Sequence, residues 1–530
     1  MVTTHGTDGQ ENPPNPAPPG TESIRAALDA GEEFKPHPLT LHETMDAAEA
    51  FAMPPDVIDK QLSSLDTSDT SNAKRFATRF GKDFVFLAPD GVWHHWNGQF
   101  WEADPLTVHI REKLMLAADA IYSEAIHIED AKVKKSRLHW ATKSKDKHRI
   151  NGTLELAEVF LHKPSNLFDQ KPLLFNTAGG TINLETGALL PHSQADLLTQ
   201  CSPVPPNFKA GCPTWLKFLE DVFGCNWDDE RDPLDDPLEG IQRLLGYTLT
   251  GLTTEQIMVC LHGGGSNGKS VLLETVAHIL GTYAAALRVE ALMSKDRAAS
   301  HQTDLVRLRG KRFVTTVESE DGHSLNESLL KQITGGDTTA GREIYKATIE
   351  FKPEYTLWMA SNHLPRIRGA DHGIWRRIIL IPFTQRFVDP EDAAPGDKLK
   401  DPALKAKLLA EAPAILAWMT HGTRMFLRDG LRVPRRWKDA TQEYRSREDR
   451  LGAWLDECCE RDPSAKTAMK SLLESFNQWA TQEGEQTMTP HAFGPAISDR
   501  GFQRRKVHGM MFSFGLRLIN PPPSTSGWID

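Results

Sequence analysis

A short apolar run followed by a glycine-rich loop and an amphipathic segment most constrains how this chain of 530 residues can fold. Residues 257–261 read Ile-Met-Val-Cys-Leu, which is typical of a strand buried on both faces of a parallel sheet. The next residues, His262–Ser270, fit the spacing Gly-x4-Gly-Lys-Ser, and Val271–Leu280 has helical periodicity. Glycines let a loop aim its N–H groups at phosphate oxygens, and the start of a helix attracts the same anion. The order strand, loop, helix therefore predicts an α/β fold with a phosphate-binding loop.

The chemistry of this loop is that of a nucleotide site. We expect Lys269 to neutralise the β- and γ-phosphates of ATP, and Ser270 to be a ligand of Mg²⁺. The residues predicted to bind the nucleotide are Gly263, Gly264, Gly265, Ser266, Asn267, Gly268, Lys269, Ser270 and Val271.

Two further apolar runs end in residues that suit ATP hydrolysis. The run 313–317 precedes Glu318 and Glu320. We expect Glu318 to hold the Mg²⁺ shell and Glu320 to polarise the attacking water. The run 355–360 precedes Ser361 and Asn362, and the amide of Asn362 has the reach to bond the γ-phosphate or the water. The alternative for the two acids is that they only solvate a strand end.

Two arginines precede a fourth apolar strand, Ile378–Pro382. Either Arg376 or Arg377 is a candidate for stabilising transition-state charge, within one subunit or across a subunit boundary. The alternative is that both arginines form surface salt bridges.

Two segments are candidates for DNA contact. Between the second and third strands, the pattern predicts a helix, a glycine turn and a β-hairpin with a lysine near its tip. Near the C-terminus, helices followed by a basic hairpin predict a winged helix on duplex DNA. Solvated lysines and a plain interaction domain are the alternatives. The candidate DNA-binding residues are Lys331, Arg342, Lys346, Arg504, Arg505 and Lys506.

The charge balance limits how DNA is bound. The formal net charge is −10, whereas general polyanion binders are usually basic, so any DNA contact must use local basic patches. The basic cluster within 132–149 fits a DNA-facing helix or a solvated one equally well. No apolar run approaches the roughly 20 residues of a membrane span. We therefore expect no membrane partner and a cytoplasmic location, in the host cytoplasm if a phage encodes the chain.

Composition along the chain predicts five regions. They are a disordered tail at 1–72, an α+β N-terminal domain at 73–230, a P-loop NTPase core at 231–390, a helical linker at 391–450 and a winged-helix-like domain at 451–530. A short helix is also possible within the tail, at Leu41–Met53.

The ordered set of motifs resembles superfamily 3 helicases, and within them the phage and plasmid primase–helicase family that includes the poxvirus-type enzymes. The agreement runs from about Lys74 to the C-terminus and is densest over 257–387. The motifs are Gly263-x4-Gly268-Lys269-Ser270, Val317-Glu318-Ser319-Glu320, Leu330–Asp337, Ser361-Asn362-His363-Leu364-Pro365 and Trp375-Arg376-Arg377-Ile378.

The resemblance implies that the core at 231–390 is an AAA+ motor driven by ATP, which works as a hexameric ring and moves on single-stranded or forked DNA, usually 3′ to 5′. It implies that Lys269, Ser270, Glu318, Glu320, Asn362 and one of the two arginines line a site between subunits. It also implies that the segment Lys331–Lys346 faces the DNA channel, and that Lys74–Gly224 corresponds to the domain preceding the motor.

One departure concerns priming. Many members carry a primase module, and we expect none here because only a short tail precedes Lys74. The prediction is a helicase of phage or plasmid replication without intrinsic primase activity, served by a separate primase or another replisome protein. The alternatives are a bifunctional primase–helicase, an origin-binding initiator regulated by ATP, and a P-loop kinase.

Overall fold

Two bodies of secondary structure make up the described part of the chain. The structure is a computed structural model that describes residues 54–230, 232, 234–293, 304–318, 324–342, 348–367 and 372–519. Within these residues, the first unit lies in Met1–His95 with Ala103–Lys163, and the second in Trp96–Glu102 with Pro164–Asp530.

The first unit packs helices against a small sheet. Its helices are α1 (Pro55–Leu62), α2 (Asp69–Phe80), α3 (Val108–Glu124), α4 (Ala131–Lys143) and α5 (Lys147–Leu161). Strands β1 (Phe84–Ala88) and β2 (Val92–Trp96) form an antiparallel hairpin, β3 (Trp101–Ala103) follows, and β4 (His162–Pro164) lies beside β1. Aromatic and aliphatic side chains of these elements, including Phe76, Phe84, Trp93 and Leu114, form the core.

A buried carboxylate ties three helices of this unit together. Glu124, the last residue of α3, accepts hydrogen bonds from Arg75 Nε at 2.7 Å, Arg79 Nη2 at 3.1 Å and Arg137 Nη1 at 3.3 Å. Arg75 and Arg79 lie on α2, and Arg137 lies on α4. Burial, and then the charge of Arg75, lowers the pKa of Arg137, so the cluster depends on the one central anion.

Removing that anion should destabilise the chain. Glu124→Gln leaves the buried guanidinium groups of Arg75 and Arg137 without a full counter-charge, which should lower the free energy of unfolding by about 3–5 kcal/mol. Urea unfolding measures it. The control, Asp119→Asn, breaks the solvent-accessible pair with Lys145 and should leave the midpoint almost unchanged. Equal midpoints for both variants would show that the buried cluster contributes nothing.

The second unit begins with a meander and leads into the central sheet. Its first elements are β5 (Leu174–Thr177), β6 (Gly180–Asn183), β7 (Leu189–Leu190), α6 (Pro213–Phe223) and α7 (Pro237–Thr250). The central region contains β8 (Met258–His262), α8 (Lys269–Leu280), β9 (Ala284–Ala286), β10 (Phe313–Glu318), α9 (Glu327–Thr334), β11 (Thr339–Arg342), β12 (Thr348–Phe351), β13 (Thr356–Ser361), α10 (His372–Trp375) and β14 (Ile378–Pro382).

The central sheet has five strands in the order β14-β8-β13-β10-β9, and every pairing is parallel. The strands β8, β13 and β14 are almost wholly buried, which explains their uninterrupted apolar sequences. Parallel strands end at the same edge of a sheet, so the residues that follow β8, β10 and β13 lie together. This architecture confirms the predicted α/β class.

The segment predicted as a helical linker forms helices, but these helices are part of the core of the second unit. After the short pair β15 (Phe387–Val388) and β16 (Lys398–Leu399), it contains α11 (Leu404–Ala410), α12 (Ala412–Asp429) and α13 (Arg435–Glu448). Leu416, Met419 and Trp437 are buried in the same core cluster as α7 and the central sheet. The prediction of a linker is therefore wrong, because these apolar faces complete the core around the central sheet.

The last elements form a small separate core. They are α14 (Arg450–Cys458), β17 (Cys459–Ala468), α15 (Met469–Gln482), α16 (Pro490–Asp499), β18 (Arg504–Val507) and β19 (Met510–Leu518). The three strands form an antiparallel sheet in the order β17-β19-β18. His508 and Gly509, with φ of +47° and +85°, make the two-residue turn between β18 and β19, as tight hairpins require.

Two predicted boundaries need correction. The disordered tail is wrong over 55–72, because α1 and the start of α2 lie there and Leu62 and Asn72 are buried; residues 1–53, with the possible helix at 41–53, lie outside the described residues. The predicted boundary at 230 is too late, because residues 164–230 belong to the second unit. Phe175 and Trp215 share the core cluster of the central sheet.

Within the described ranges, no helix combines the length and apolarity needed to cross a bilayer.

Candidate active site

The loop between β8 and α8 has a backbone that only glycine accepts at two places. At Gly268, with φ of +91°, a β-carbon would lie 2.8 Å from Val222 Cγ2. At Gly263 a β-carbon would lie 2.3 Å from the carbonyl oxygen of Phe383, which follows β14. These contacts bring the loop against α6 and the neighbouring strand. The two glycines of the sequence motif are thus explained by close backbone approach.

The loop surrounds a buried lysine with neutral oxygens. Lys269 is 6 % exposed, and its Nζ donates to the carbonyls of Gly263 at 2.6 Å and Gly264 at 3.3 Å. It also donates to the amide oxygens of Asn267 and Asn362, both at 3.2 Å. Among the side chains that the structure describes, no carboxylate balances this charge. Burial lowers the pKa of Lys269, because water no longer solvates the ammonium.

The other predicted catalytic residues follow the same sheet edge. In the register of β10 and β13, Glu318 is opposite Ser361, and Ser361 is opposite His262 of β8. Asn362 directly follows Ser361 and reaches Lys269. The fold therefore brings the start of the loop, Asn362 and the position of Glu318 to one edge; Glu320 lies outside the described residues.

Two polar residues of the loop region have contacts that the sequence did not predict: Asn267 was expected only to bind the nucleotide, and His262 was given no role. Asn267 is 4 % exposed and its Nδ2 donates to the Phe383 carbonyl at 3.3 Å, so it braces the loop against the strand beside it. His262 is half-buried, and burial followed by the charge of Lys269 lowers the pKa of its imidazole. A neutral imidazole beside the lysine adds no further positive charge. Only the tertiary contacts reveal these roles, since neither residue is required by the motif.

A cavity of about 760 Å³ adjoins the loop at Gly268 and Val271. Apolar side chains from three other elements line it, namely Phe218, Phe387 and Leu404. Ion pairs, Lys217 with Asp221 at 3.0 Å and Lys400 with Asp389, lie among its lining residues. A cavity with an apolar lining and charged groups suits a heteroaromatic base joined to a polar sugar. Its lining residues Ser266, Gly268 and Val271 belong to the predicted nucleotide-binding set, whereas the apolar lining from the other elements was not predicted.

The two candidate arginines lie at the opposite edge of the sheet. They precede β14, whose first residue pairs with Met258 at the start of β8, whereas the loop follows the last residue of β8. Four residue steps at about 3.3 Å separate these edges by roughly 13 Å. Arg376 is exposed, Arg377 is 8 % exposed, and both guanidinium groups donate to the side-chain oxygen of Gln256.

The candidate DNA-binding residues are distributed over two other surfaces. β11 and β12 form the predicted antiparallel hairpin; Arg342 ends β11, and Lys346 lies outside the described residues. Lys331 is half-buried on α9. On β18, Arg505 and Lys506 are exposed, while Arg504 donates to Ser498 Oγ at 2.6 Å and is partly buried.

The described residues hold no cluster of three or more His, Cys, Asp or Glu side chains that would bind a metal on its own. Ser270 is exposed at the start of α8, and Glu318 ends β10 at the same edge of the sheet. Hydroxyl and carboxylate oxygens are suitable ligands of Mg²⁺, which takes few protein ligands and completes its coordination shell with phosphate oxygens and water. The residues therefore fit a magnesium ion that arrives with a nucleotide.

Two family models match separate parts of the chain. A family model described as "D5 N terminal like" matches residues 73–224, and one described as "Family of unknown function (DUF5906)" matches residues 261–377. Similar proteins include "Putative helicase L207/L206" of Acanthamoeba polyphaga mimivirus, at 25% identity over 62% of this chain and 35% of that protein. "Putative helicase 022R" of Frog virus 3 is 25% identical over 62% of this chain and 40% of its own length.

These matches show similarity to a D5-type family model in one part of the chain and to viral proteins named as helicases. A third relative, "Putative primase C962R" of African swine fever virus, is 26% identical over 62% of this chain and 35% of its own length. The chain thus spans little more than a third of the length of these relatives. A solved structure, "The apo structure of NrS-1 C terminal region (305-718)", covers 59% of this chain and 78% of its own at 14% identity. Its TM-score is 0.37, too low for an argument about the fold.

The close contact at Gly263 gives a test of the loop geometry. Gly263→Ala places a β-carbon 2.3 Å from a backbone oxygen, so we expect the loop to shift and the free energy of unfolding to fall by about 1–3 kcal/mol. Gly264→Ala is the matched control, because a β-carbon there meets nothing within 4 Å. Thermal unfolding of both variants measures the difference. A Gly263→Ala protein as stable as Gly264→Ala would contradict the described loop.

Proposed function

We propose that this chain is the motor of an ATP-dependent DNA helicase that acts in phage, plasmid or viral replication. The observation that supports it best is the buried Lys269 ammonium, whose described partners are all neutral oxygens. A cation held in this way attracts an anion strongly, because the surrounding protein screens charge less than water. The glycine loop and the start of α8 make a triphosphate the anion of best fit.

The neighbouring residues have distinct roles in this proposal. The ATP triphosphate replaces loop carbonyls as the partner of Lys269, and Asn362, 3.2 Å from Lys269 Nζ, contacts the γ-phosphate or the attacking water. Glu320 orients and polarises that water. Mg²⁺, when bound with ATP through Ser270 and Glu318, would neutralise charge on the phosphate oxygens. The base of the nucleotide lies in the cavity beside Val271 and Phe218.

The arginines act on another copy of the chain. Arg376 and Arg377 lie at the sheet edge opposite Lys269, so within one copy they are too far away to touch the same phosphate. In a ring, this edge can face the nucleotide loop of the next copy. We therefore assign ATP hydrolysis to a homo-oligomeric AAA+ ring, which the parallel order β14-β8-β13-β10-β9 supports.

DNA contact uses the two surfaces described above. The β11–β12 hairpin, with Lys331, Arg342 and Lys346, follows the DNA strand in the channel as the nucleotide state changes. The C-terminal order of helix, strand, two helices and two strands supports a winged-helix-like domain, with Arg504, Arg505 and Lys506 on duplex phosphates. The names of the viral relatives, helicase or primase, agree with a nucleic-acid substrate.

Priming is the second candidate activity. It is favoured by the match described as "D5 N terminal like" and by the relative named as a primase. The absence of primase activity stays a prediction from the sequence. An assay for labelled ribonucleotide incorporation on a single-stranded template tests it, and template-directed products would establish the bifunctional alternative.

Loss of the Lys269 ammonium should stop the motor. Lys269→Ala removes the charge that holds the phosphates, so we expect the ATPase rate on single-stranded DNA to fall at least about 100-fold and forked-DNA unwinding to be lost. The control, Lys171→Ala, removes an exposed lysine paired with Asp196 and should retain both rates. Unwinding is measured on DNA substrates with a 3′ single-stranded tail and on substrates with a 5′ single-stranded tail. Normal ATPase and unwinding by Lys269→Ala would exclude the proposal.

The basic hairpin should bind duplex without reading its sequence. Lys506→Ala removes one phosphate contact, so the dependence of log affinity on log salt concentration should become shallower by about one. Fluorescence anisotropy with two unrelated duplexes measures it, and both should weaken equally. Lys470→Ala, an exposed lysine on α15, is the control and should leave the slope unchanged. An unchanged slope in Lys506→Ala would place DNA elsewhere.

A further inference from the structure

Gln256 has a backbone conformation that disfavours its side chain. It precedes the strand residues Ile257 and Met258, and its φ is +55°, a left-handed conformation in which a β-carbon is crowded. Its N–H donates to the carbonyl of Thr253 at 3.0 Å, which closes the turn. Glycine or asparagine would suit this turn better. A strained residue of this kind points to a task for the side chain.

The side chain of Gln256 holds both arginines at once. Its Oε1 accepts from Arg376 Nη2 and, at 3.1 Å, from Arg377 Nη2. The acceptor is a neutral amide, whereas a carboxylate would form a stronger, charge-assisted pair. Gln256 therefore orients two guanidinium groups without neutralising either of them.

The two arginines differ in what surrounds them. Arg377 is 8 % exposed and also donates to the carbonyl of Gly373, and its own carbonyl accepts from Met258 N at 2.7 Å. These bonds fix it between α10 and β8. Arg376 is exposed, and among the described residues Gln256 is its hydrogen-bond partner. Of the two arginines, only Arg376 has a guanidinium group that can reach a group on another subunit.

The surface beside Arg376 suits an anion. Arg376 lines a groove of about 290 Å³ with Trp375, Lys438 and Arg445, and none of the described residues that line it is acidic. Trp375 is buried and packs edge-on against Tyr444 of α13 at 5.0 Å, which keeps the helix cations beside the arginine. An exposed guanidinium in a cationic groove fits the polyphosphate of a second copy.

We propose that Gln256 is a positioning residue that aims Arg376 at the triphosphate bound by the next copy, while Arg377 braces the turn. This inference rests on the proposed function, because it requires an ATP site completed between copies. It distinguishes the roles of the two arginines, which the sequence left equivalent. It also links the two edges of one sheet, because β8 runs from Gln256 directly to the loop that holds Lys269.

The first test distinguishes the effect of the Gln256 side chain on ATPase activity from the effect of its backbone conformation on stability. Gln256→Gly relieves the turn but releases Arg376, so the melting temperature should stay equal or rise while kcat of the ATPase falls roughly 10- to 100-fold. Asparagine also accepts the backbone conformation of this turn, but its side chain is one methylene too short to reach the arginines. Gln256→Asn should therefore show the same melting temperature and the same fall in kcat as Gln256→Gly. Arg432→Gly is the matched control, since Arg432 has φ of +45°, is exposed and pairs with Asp429 at 3.3 Å, and it should keep full activity.

The second test asks in which copy Gln256 acts. Each variant is measured alone and mixed with Lys269→Ala, which lacks its own phosphate site but supplies an intact Gln256 and Arg376. Mixtures with Gln256→Gly or Arg376→Ala should exceed the sum of the separate rates several-fold. A purely structural defect in the Gln256→Gly copy could not be repaired in this way. Light scattering shows whether the mixed copies assemble.

The outcomes are distinct for the two proposals. An inactive wild-type chain would overturn the proposed function itself. Wild-type ATPase activity together with a Gln256→Gly rate within twofold of it would overturn the role of Gln256 alone. Loss of activity without repair by Lys269→Ala would also overturn it, because the residue would then serve its own subunit.

Discussion

The Lys269 ammonium lies at the end of the parallel sheet, where loop carbonyls and the amide oxygen of Asn362 surround it. Neutral oxygens solvate this buried charge but do not balance it. The glycine loop, the close approach of Phe383 and the packing of α6 against Gly268 all hold this arrangement in place. In the proposed function the rest of the site depends on it, because a buried cation whose described partners are all neutral oxygens attracts a phosphate strongly.

The two ends of the strands in the central sheet carry groups of different chemistry. One edge presents Lys269, Asn362 and the position of Glu318, and the other presents Arg376. Parallel strands make this separation unavoidable, since all carboxyl ends lie on one side. A site built from both edges needs two copies of the chain. Oligomerisation is then a consequence of strand direction in the proposed motor.

Particular residues show how far sequence reasoning extends. The apolar runs that became β8, β13 and β14 were recognisable because strands buried on both faces leave few polar positions, and β10 was recognisable from its β-branched residues. The helices at 404–448 were recognised, but their burial was not, because amphipathic helices look alike whether they link domains or cover a sheet. The contact of Asn267 with Phe383 and the contacts of Gln256 with the arginines gave no signal, since the partners are 116 and 120 residues away in the chain.

The sequence alone determined the glycine-rich loop after β8, the α/β class and the residues that end the central strands, because these follow from local spacing and from the periodicity of apolar residues. Only the tertiary structure decided that Asn362 touches Lys269, that Arg377 is buried while Arg376 is exposed, and that residues 164–230 belong to the same unit as the central sheet. The physical reason is that burial and long-range hydrogen bonds arise from the packing of distant segments, which no local pattern encodes.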